Sequence, residues 1–275
     1  MEVNVKTGLE TEKKNSENIN EEFQKQKNSK DKTFLEKLWN NEKNFFDDIN
    51  YSKKYSWRTQ FIESINKDAD LQNGDFYQVG VYSGASIKLV LKKMKDIGVN
   101  FRYIYGFDSF EGLPIEDKDE FNPESWYKGR FDMKYFGNIE KIKEKLINFI
   151  KNDNIILIDG FFEKTMNADS VNKYNMNKAS YIDMDCDTYS STVEALEFFI
   201  KNNILVKGTI IGYDDWCMGF NYDDIKIRNK YEYKCGQSKA HKEFCDKYNI
   251  TCKRLKNYKL SNKRAVYIVD RIDLI

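Results

Sequence analysis

Histidine is almost missing from this chain: His241 is the only one in 275 residues, and there are just two prolines, Pro114 and Pro123. A single imidazole makes histidine-centred catalysis a poor expectation, and His241 reads as an ordinary polar residue on a helix face. The five cysteines, Cys186, Cys217, Cys235, Cys245 and Cys252, are odd in number and scattered. No CxxC pair occurs among them, which argues against a zinc site or a disulfide framework and for a reduced, cytoplasmic protein. No apolar run approaches the roughly 20 residues of a membrane span, and the N-terminus lacks the apolar core of a signal peptide. Net charge is +1, from 45 basic and 44 acidic residues. No global field therefore draws the chain to nucleic acid or to a membrane.

What is present is a long alternation of strand-like and helix-like segments. Residues 1–32 are rich in Glu, Lys, Asn and Ser and cannot bury enough apolar area to order themselves, so a disordered tail is expected. Residues 33–72 read as a helical segment. Phe34, Leu35, Leu38, Trp39, Phe45, Phe46 and Ile49 recur at helical spacing, followed by Trp57, Phe61, Ile62 and Ile65. The two helices are expected to pack over one sheet edge or to cap a ligand site. Residues 73–275 then alternate strands with helices, the mark of a parallel sheet with crossover helices. Expected strands lie at 76–79, 101–107, 155–158 and 181–184, with another from Gly208. A last strand, Arg264–Val269, is expected to pair antiparallel with Thr251–Leu255.

The chemistry concentrates in Tyr181–Thr192, YIDMDCDTYSST. Asp183, Asp185 and Asp187 occupy alternate positions, which a regular strand would turn to one face. At about 4 Å two such charges repel by roughly 4 kcal/mol at an effective dielectric of about 20. The fold must spread them, protonate one, or bind a cation. A second pair, Asp214-Asp215, ends the next apolar strand, so both clusters converge on the crevice where α/β sheets place ligands.

Three further strand ends are candidates. The segment Gly80-Val81-Tyr82-Ser83-Gly84 follows the first strand; its glycines suit close backbone approach to a ligand or simply a tight turn. It is not the full GxGxxG fingerprint. Asp108, followed by Ser109, ends the second strand, where doubly wound folds place an acid against ribose hydroxyls; a turn cap is the alternative. Asp159-Gly160-Phe161 ends the third and offers a polar contact and a stacking surface, or again a turn. The aromatic loop residues Trp126, Tyr127, Trp216 and Phe220 are candidates to stack on an acceptor. Tyr189 and the serines after it are candidates to order the acids, with capping of the following helix by Ser190 or Ser191 as the equal alternative.

Five blocks of text carry a resemblance: QVGVYSGAS (Gln78–Ser86), YGFDSFEGLP (Tyr105–Pro114), DGFFEKT (Asp159–Thr165), DCDTYSSTVEAL (Asp185–Leu196) and YDDW (Tyr213–Trp216). With SKAHKEF (Ser238–Phe244), they resemble the macrocin O-methyltransferase family, S-adenosylmethionine-dependent enzymes that methylate sugar hydroxyls with Mg²⁺. The resemblance implies a class I methyltransferase fold: a Rossmann-like, doubly wound, mostly parallel seven-stranded sheet with a reversed last strand. It places Gly80, Val81, Tyr82, Ser83, Gly84, Asp108, Ser109, Asp159, Gly160, Phe161 and Asp185 at the cofactor. It makes Asp185, Asp214 and Asp215 Mg²⁺ ligands and Asp187 the general base. The acceptor would be a sugar or glycosylated small molecule; a phenolic hydroxyl and an inactive scaffold are the alternatives, and homo-oligomerisation is left open. The chain departs from the family pattern at Gln78, where Glu is usual, and at Asp183, where a basic residue or His is common.

Overall fold

The computed structural model describes residues 29–40, 57–58, 62, 74–119, 121, 125–217, 230–255 and 264–273. A first unit ends at Phe45 and a second runs from Phe46 to Ile275. In the first, residues 29–40 form one helix, so residues 29–32, expected in the polar tail, belong to its first turn. The rest of that tail, and most of 41–73, lie outside the described residues.

The second unit is an α/β sheet protein in which short apolar runs became strands and amphipathic stretches the crossovers. Strand β1 (Asp75–Val79) leads to helix α1 (Ala85–Ile97) and strand β2 (Ile104–Asp108). Helix α2 (Ile139–Ile150) precedes β3 (Ile155–Asp159), and the short helices α3 (Phe162–Thr165) and α4 (Ala168–Tyr174) lead to β4 (Ala179–Met184). Helix α5 (Tyr189–Lys201) and strand β5 (Ile210–Tyr213) follow, then helix α6 (Gly236–Lys247) and the antiparallel pair β6 (Ile250–Arg254) and β7 (Ala265–Ile272). The sheet order is β3-β2-β1-β4-β5-β7-β6. Strands β1 to β5 pair in parallel and β7 is reversed against β5. The expected doubly wound, seven-stranded sheet with a reversed last strand is therefore observed.

β1 and β4 are buried along their whole length, as strands covered on both faces must be. The sheet order reverses between β1 and β4, and the ends of both are the natural place for a ligand. Helix α5 begins at Tyr189, directly after the acids. Its cap is Thr188, whose Oγ1 accepts the Ser191 N–H at 3.3 Å, so neither serine caps it.

The last turns of α5 and α6 are joined through Glu197, which accepts from Lys247 Nζ at 2.6 Å and from Tyr248 OH and Lys201 Nζ at 2.5 Å each. Burial alone would raise its carboxyl, but these three donors outweigh it and bring it down to about 2. A depressed carboxylate stabilises the fold above its unfolded pKa and loses that contribution as pH falls through the folded one. Glu197→Gln should accordingly lower stability by about 1 kcal/mol near neutral pH. The difference should fade between about 4.5 and about 2, as followed by urea unfolding at stepped pH.

Candidate active site

The turn after β1 is built by backbone crowding. Gly80 has φ +86°, and a Cβ there would stand 2.0 Å from the Asp185 carbonyl oxygen. The glycine is required because the end of β4 passes directly against it, before any ligand is considered. Asp108 organises the same turn from β2. Its Oδ2 accepts the N–H groups of Val81 and Tyr82 at 2.8 Å each, and its Oδ1 accepts that of Phe110 at 2.7 Å. Ser109 closes the following bend, with its hydroxyl donating to the Gly112 carbonyl and accepting from Glu111 N–H. Ser83 Oγ accepts from Ala85 N–H at 3.3 Å, and Gly84 caps α1 in the left-handed region. At the end of β3, Asp159 pairs with Lys143 at 2.6 Å, Gly160 donates to the Asp108 carbonyl, and Phe161 caps α3. The three strand ends thus lie side by side, each with its own local structural duty.

The acids divide on the other side of the switch point. β4 ends at Met184, and Asp187 turns off with φ +61°, a left-handed conformation uncommon for a side-chain-bearing residue. Asp183 is fully buried on the sheet face. Its partner is Arg58, equally buried, whose Nε donates to Asp183 Oδ2 at 2.6 Å. The same guanidinium reaches Asp185 Oδ2 at 2.7 Å and Asp214 Oδ2 at 3.5 Å. Arg264, at the start of β7, takes the other oxygen of Asp214 at 2.5 Å. The repulsion between alternate acids is thus relieved mainly by an arginine from the segment ahead of the sheet. Trp57, beside Arg58, lies over Gly212 of β5, where a Cβ would come within 3.0 Å of its ring. Trp57 therefore lies against a sheet face beside the acids.

Protonation follows from that arrangement. Burial would raise Asp214, but Arg58 and then Arg264 hold it below the ordinary carboxylate range. Asp185 and Asp215 have no such surplus of partners and are pushed well up, by burial first. Burial and then the Asp214 charge push Asp187 up to about 7, against a hydrogen bond with Asp215 and the nearby Arg130. Five carboxylates thus face two close guanidiniums: burial raises Asp183 to about 6 even against Arg58, and Asp185, Asp187 and Asp215 are raised as well.

This donor set fits a hard divalent cation. Carboxylate oxygens of Asp185, Asp214 and Asp215 lie within 4.8 Å of one another, and oxygen ligands suit Mg²⁺. A cation there would offset the burial and mutual repulsion that push the carboxyls of Asp185 and Asp215 up.

Several residues that shape the site were not visible in the sequence. Gln237, in the first turn of α6, accepts the Asp215 N–H through Oε1 at 3.1 Å and donates to the Met184 carbonyl at 3.2 Å. Glu116 accepts from both N–H and Oγ of Ser190 at the start of α5, and Asp119 accepts Gly236 N–H at the start of α6. Each places negative charge at a helix N-terminus, where it is favourable. They fasten the loop after β2 to both helices that follow the acid clusters. Trp216, expected to stack on an acceptor, is fully buried, donates to Glu232 and packs on Tyr213 and Tyr267. Trp126 is also buried, Tyr127 is half-buried, and Phe220 lies outside the described residues.

A family model described as Macrocin-O-methyltransferase (TylF) matches residues 51–228, which include the glycine turn, Arg58 and both acid clusters. The chain belongs to the macrocin O-methyltransferase family. It is accordingly an S-adenosylmethionine-dependent O-methyltransferase. Among solved structures, the O-methyltransferase NovP is similar at 17% identity, over 80% of each chain, with a TM-score of 0.58. CalS11, a calicheamicin methyltransferase, is similar at 18% identity over 87% of this chain and 91% of its own, with a TM-score of 0.57. Both likenesses are of fold. No curated protein matches the sequence.

The two departures from the pattern of this O-methyltransferase family prove to be neighbours. Gln78 of β1 and Asp183 of β4 stand opposite each other in register. Gln78 is fully buried, its Nε2 donates to the Gly80 carbonyl at 2.9 Å, and it also supports the Asp183 carboxylate. With the acid on β4 and its countercharge supplied by Arg58, a neutral residue is what β1 can accept. Gln78→Glu should therefore place a second buried carboxyl beside Asp183 and cost about 2–4 kcal/mol. Gln78→Glu with Asp183→Asn should recover most of that loss in chemical denaturation, whereas additive losses would show that the pair is uncoupled.

Proposed function

We propose that this enzyme methylates a hydroxyl of a sugar or glycosylated small molecule, with Asp187 as general base and Mg²⁺ held by Asp185, Asp214 and Asp215. The observation that carries the reading is the convergence of those carboxylates at the ends of β4 and β5, beside the turn after β1. Family membership makes a sugar hydroxyl the expected acceptor. The chemistry is small-molecule chemistry, with neither nucleic acid nor membrane as partner, and a cytoplasmic site of action is proposed with it. Among the described residues no helix is long and apolar enough to cross a membrane.

A sugar hydroxyl holds its proton tightly at neutral pH and needs help to attack. Bound Mg²⁺ would supply positive charge to stabilise developing alkoxide. Asp187 takes the hydroxyl proton as the oxygen forms its bond to the methyl carbon and the methyl–sulfur bond of S-adenosylmethionine breaks. Its carboxyl, raised toward neutrality by burial and by Asp214, is matched to that task. Its left-handed backbone turns it out of the line of β4 and toward Asp215. Gly80 to Gly84, Asp108, Ser109 and Asp159 to Phe161 form the cofactor side in this reading. Asp108 acts mainly by fixing the N–H groups of Val81 and Tyr82. A polar tail ending before the helix at 29–40, a helical segment up to residue 72 and a methyltransferase domain at 73–275 are proposed, with Arg58 from the segment ahead of β1 contributing to the domain's site.

Asp187→Asn should lower kcat by about 10²- to 10⁴-fold while leaving S-adenosylhomocysteine affinity within a few-fold of wild type. Asp214→Asn should weaken Mg²⁺ binding with the same cofactor affinity retained. Calorimetric titrations of both ligands, beside turnover on a panel of sugar and phenol acceptors, read these outcomes. Undiminished turnover by Asp187→Asn would remove it as the base.

A further inference from the structure

Far from the acids in sequence, α6 and β6 bring together the chain's only histidine and two of its cysteines. His241 and Cys245 lie four apart on α6 and share a face of the helix. Tyr248 then ends the helix, Asn249 turns the chain with φ +49°, and β6 runs back beside it. A register shift between Thr251 and Cys252 falls beside the third residue. The outcome is a triangle: Cys245 Sγ stands 3.6 Å from His241 Nε2 and 3.9 Å from Cys252 Sγ. The ligand atoms of all three lie within 4.8 Å of one another.

We propose that His241, Cys245 and Cys252 form a zinc site, with the imidazole Nε2 and two thiolate sulfurs as ligands, that clips α6 to β6. Tetrahedral Zn²⁺ with Zn–S of about 2.3 Å and Zn–N of about 2.0 Å separates two sulfurs by about 3.8 Å and sulfur from nitrogen by about 3.5 Å. The two edges at Cys245, 3.9 and 3.6 Å, already match, and the third, between Cys252 and His241, lies within 4.8 Å and closes as the metal binds. The imidazole is already oriented: its Nδ1 is bonded to the Tyr213 hydroxyl at 2.9 Å, which turns Nε2 toward the thiols. Such an outer partner is what metal-binding histidines require. The ring is further held against Tyr267, with centroids 4.2 Å apart, and edge-on against Tyr213 and Trp216. His241 lies on a helix face, as expected, but it is buried and held by aromatic neighbours. Both cysteines are half-buried, so the ion and a water for its fourth position have access. Two thiolates and an imidazole suit zinc and reject Mg²⁺, so this site and the carboxylate cluster sort the two metals by ligand chemistry. Binding releases the two thiol protons to solvent as the metal–sulfur bonds form.

The test is cobalt(II) and zinc(II) titration of the reduced full chain in excess Mg²⁺, which keeps the carboxylates from competing. One equivalent of cobalt should give a thiolate-to-cobalt charge-transfer band in the near ultraviolet, bleached by one equivalent of zinc. The band should be lost in Cys245→Ser/Cys252→Ser and retained in Asp214→Asn. Tyr213→Phe should weaken zinc binding about tenfold or more through the freed imidazole. Wild-type protein alone gives a second reading: zinc should slow alkylation of Cys245 and Cys252 about tenfold or more, by peptide mapping, and leave Cys186 unchanged. Absence of the band, its survival in the double serine variant, or no protection would overturn the proposal. So would retention of copper(I) in place of zinc, or a Cys245–Cys252 disulfide with no metal uptake after reduction.

Discussion

The guanidinium of Arg58 is the contact on which the arrangement of acids depends. It is fully buried and reaches Asp183, Asp185 and Asp214 at 2.6, 2.7 and 3.5 Å. Carboxylates at successive strand ends would otherwise repel one another in a poorly solvated crevice. Arg58 precedes the first strand of the sheet, so the acids depend on a residue from ahead of β1. The neutral Gln78 beside Asp183 belongs to the same balance.

That balance also explains why the site has two characters. Around the turn after β1, the polar groups are satisfied locally: Asp108 is occupied by three N–H groups, Asp159 by Lys143, and Ser109 by its own bend. Around Asp185, Asp187 and Asp215 the acids outnumber their partners, and their carboxyls are driven upward. One side of the switch point is thus settled by its own contacts, and the other carries carboxylates in excess of their guanidinium partners.

Much of this was legible in the sequence, for identifiable reasons. The strand runs and the positions of Asp108, Asp159, Asp185 and Asp214 follow from local apolar patterning and from the rule that strand ends gather at one edge. Arg58, Gln237, Glu116 and Asp119 were not legible, because each acts on a partner far along the chain and carries no spacing signal. Trp216 looked like a binding aromatic because it follows the acids, yet tertiary packing draws it into the core with Tyr213 and Tyr267. The His241, Cys245 and Cys252 cluster escaped for a related reason. It is assembled by a helix face and a turned-back strand, not by a CxxC repeat.

The most direct test is a double-mutant cycle on the buried pair, by equilibrium unfolding of wild type, Arg58→Met, Asp183→Asn and the double variant. Arg58→Met alone should cost about 3–5 kcal/mol, since it strands buried carboxylates. The double variant should be more stable than Arg58→Met, with a coupling of at least about 2 kcal/mol between the two positions. A loss below about 1 kcal/mol for Arg58→Met, or additive losses, would contradict the claim that this arginine holds the acids together.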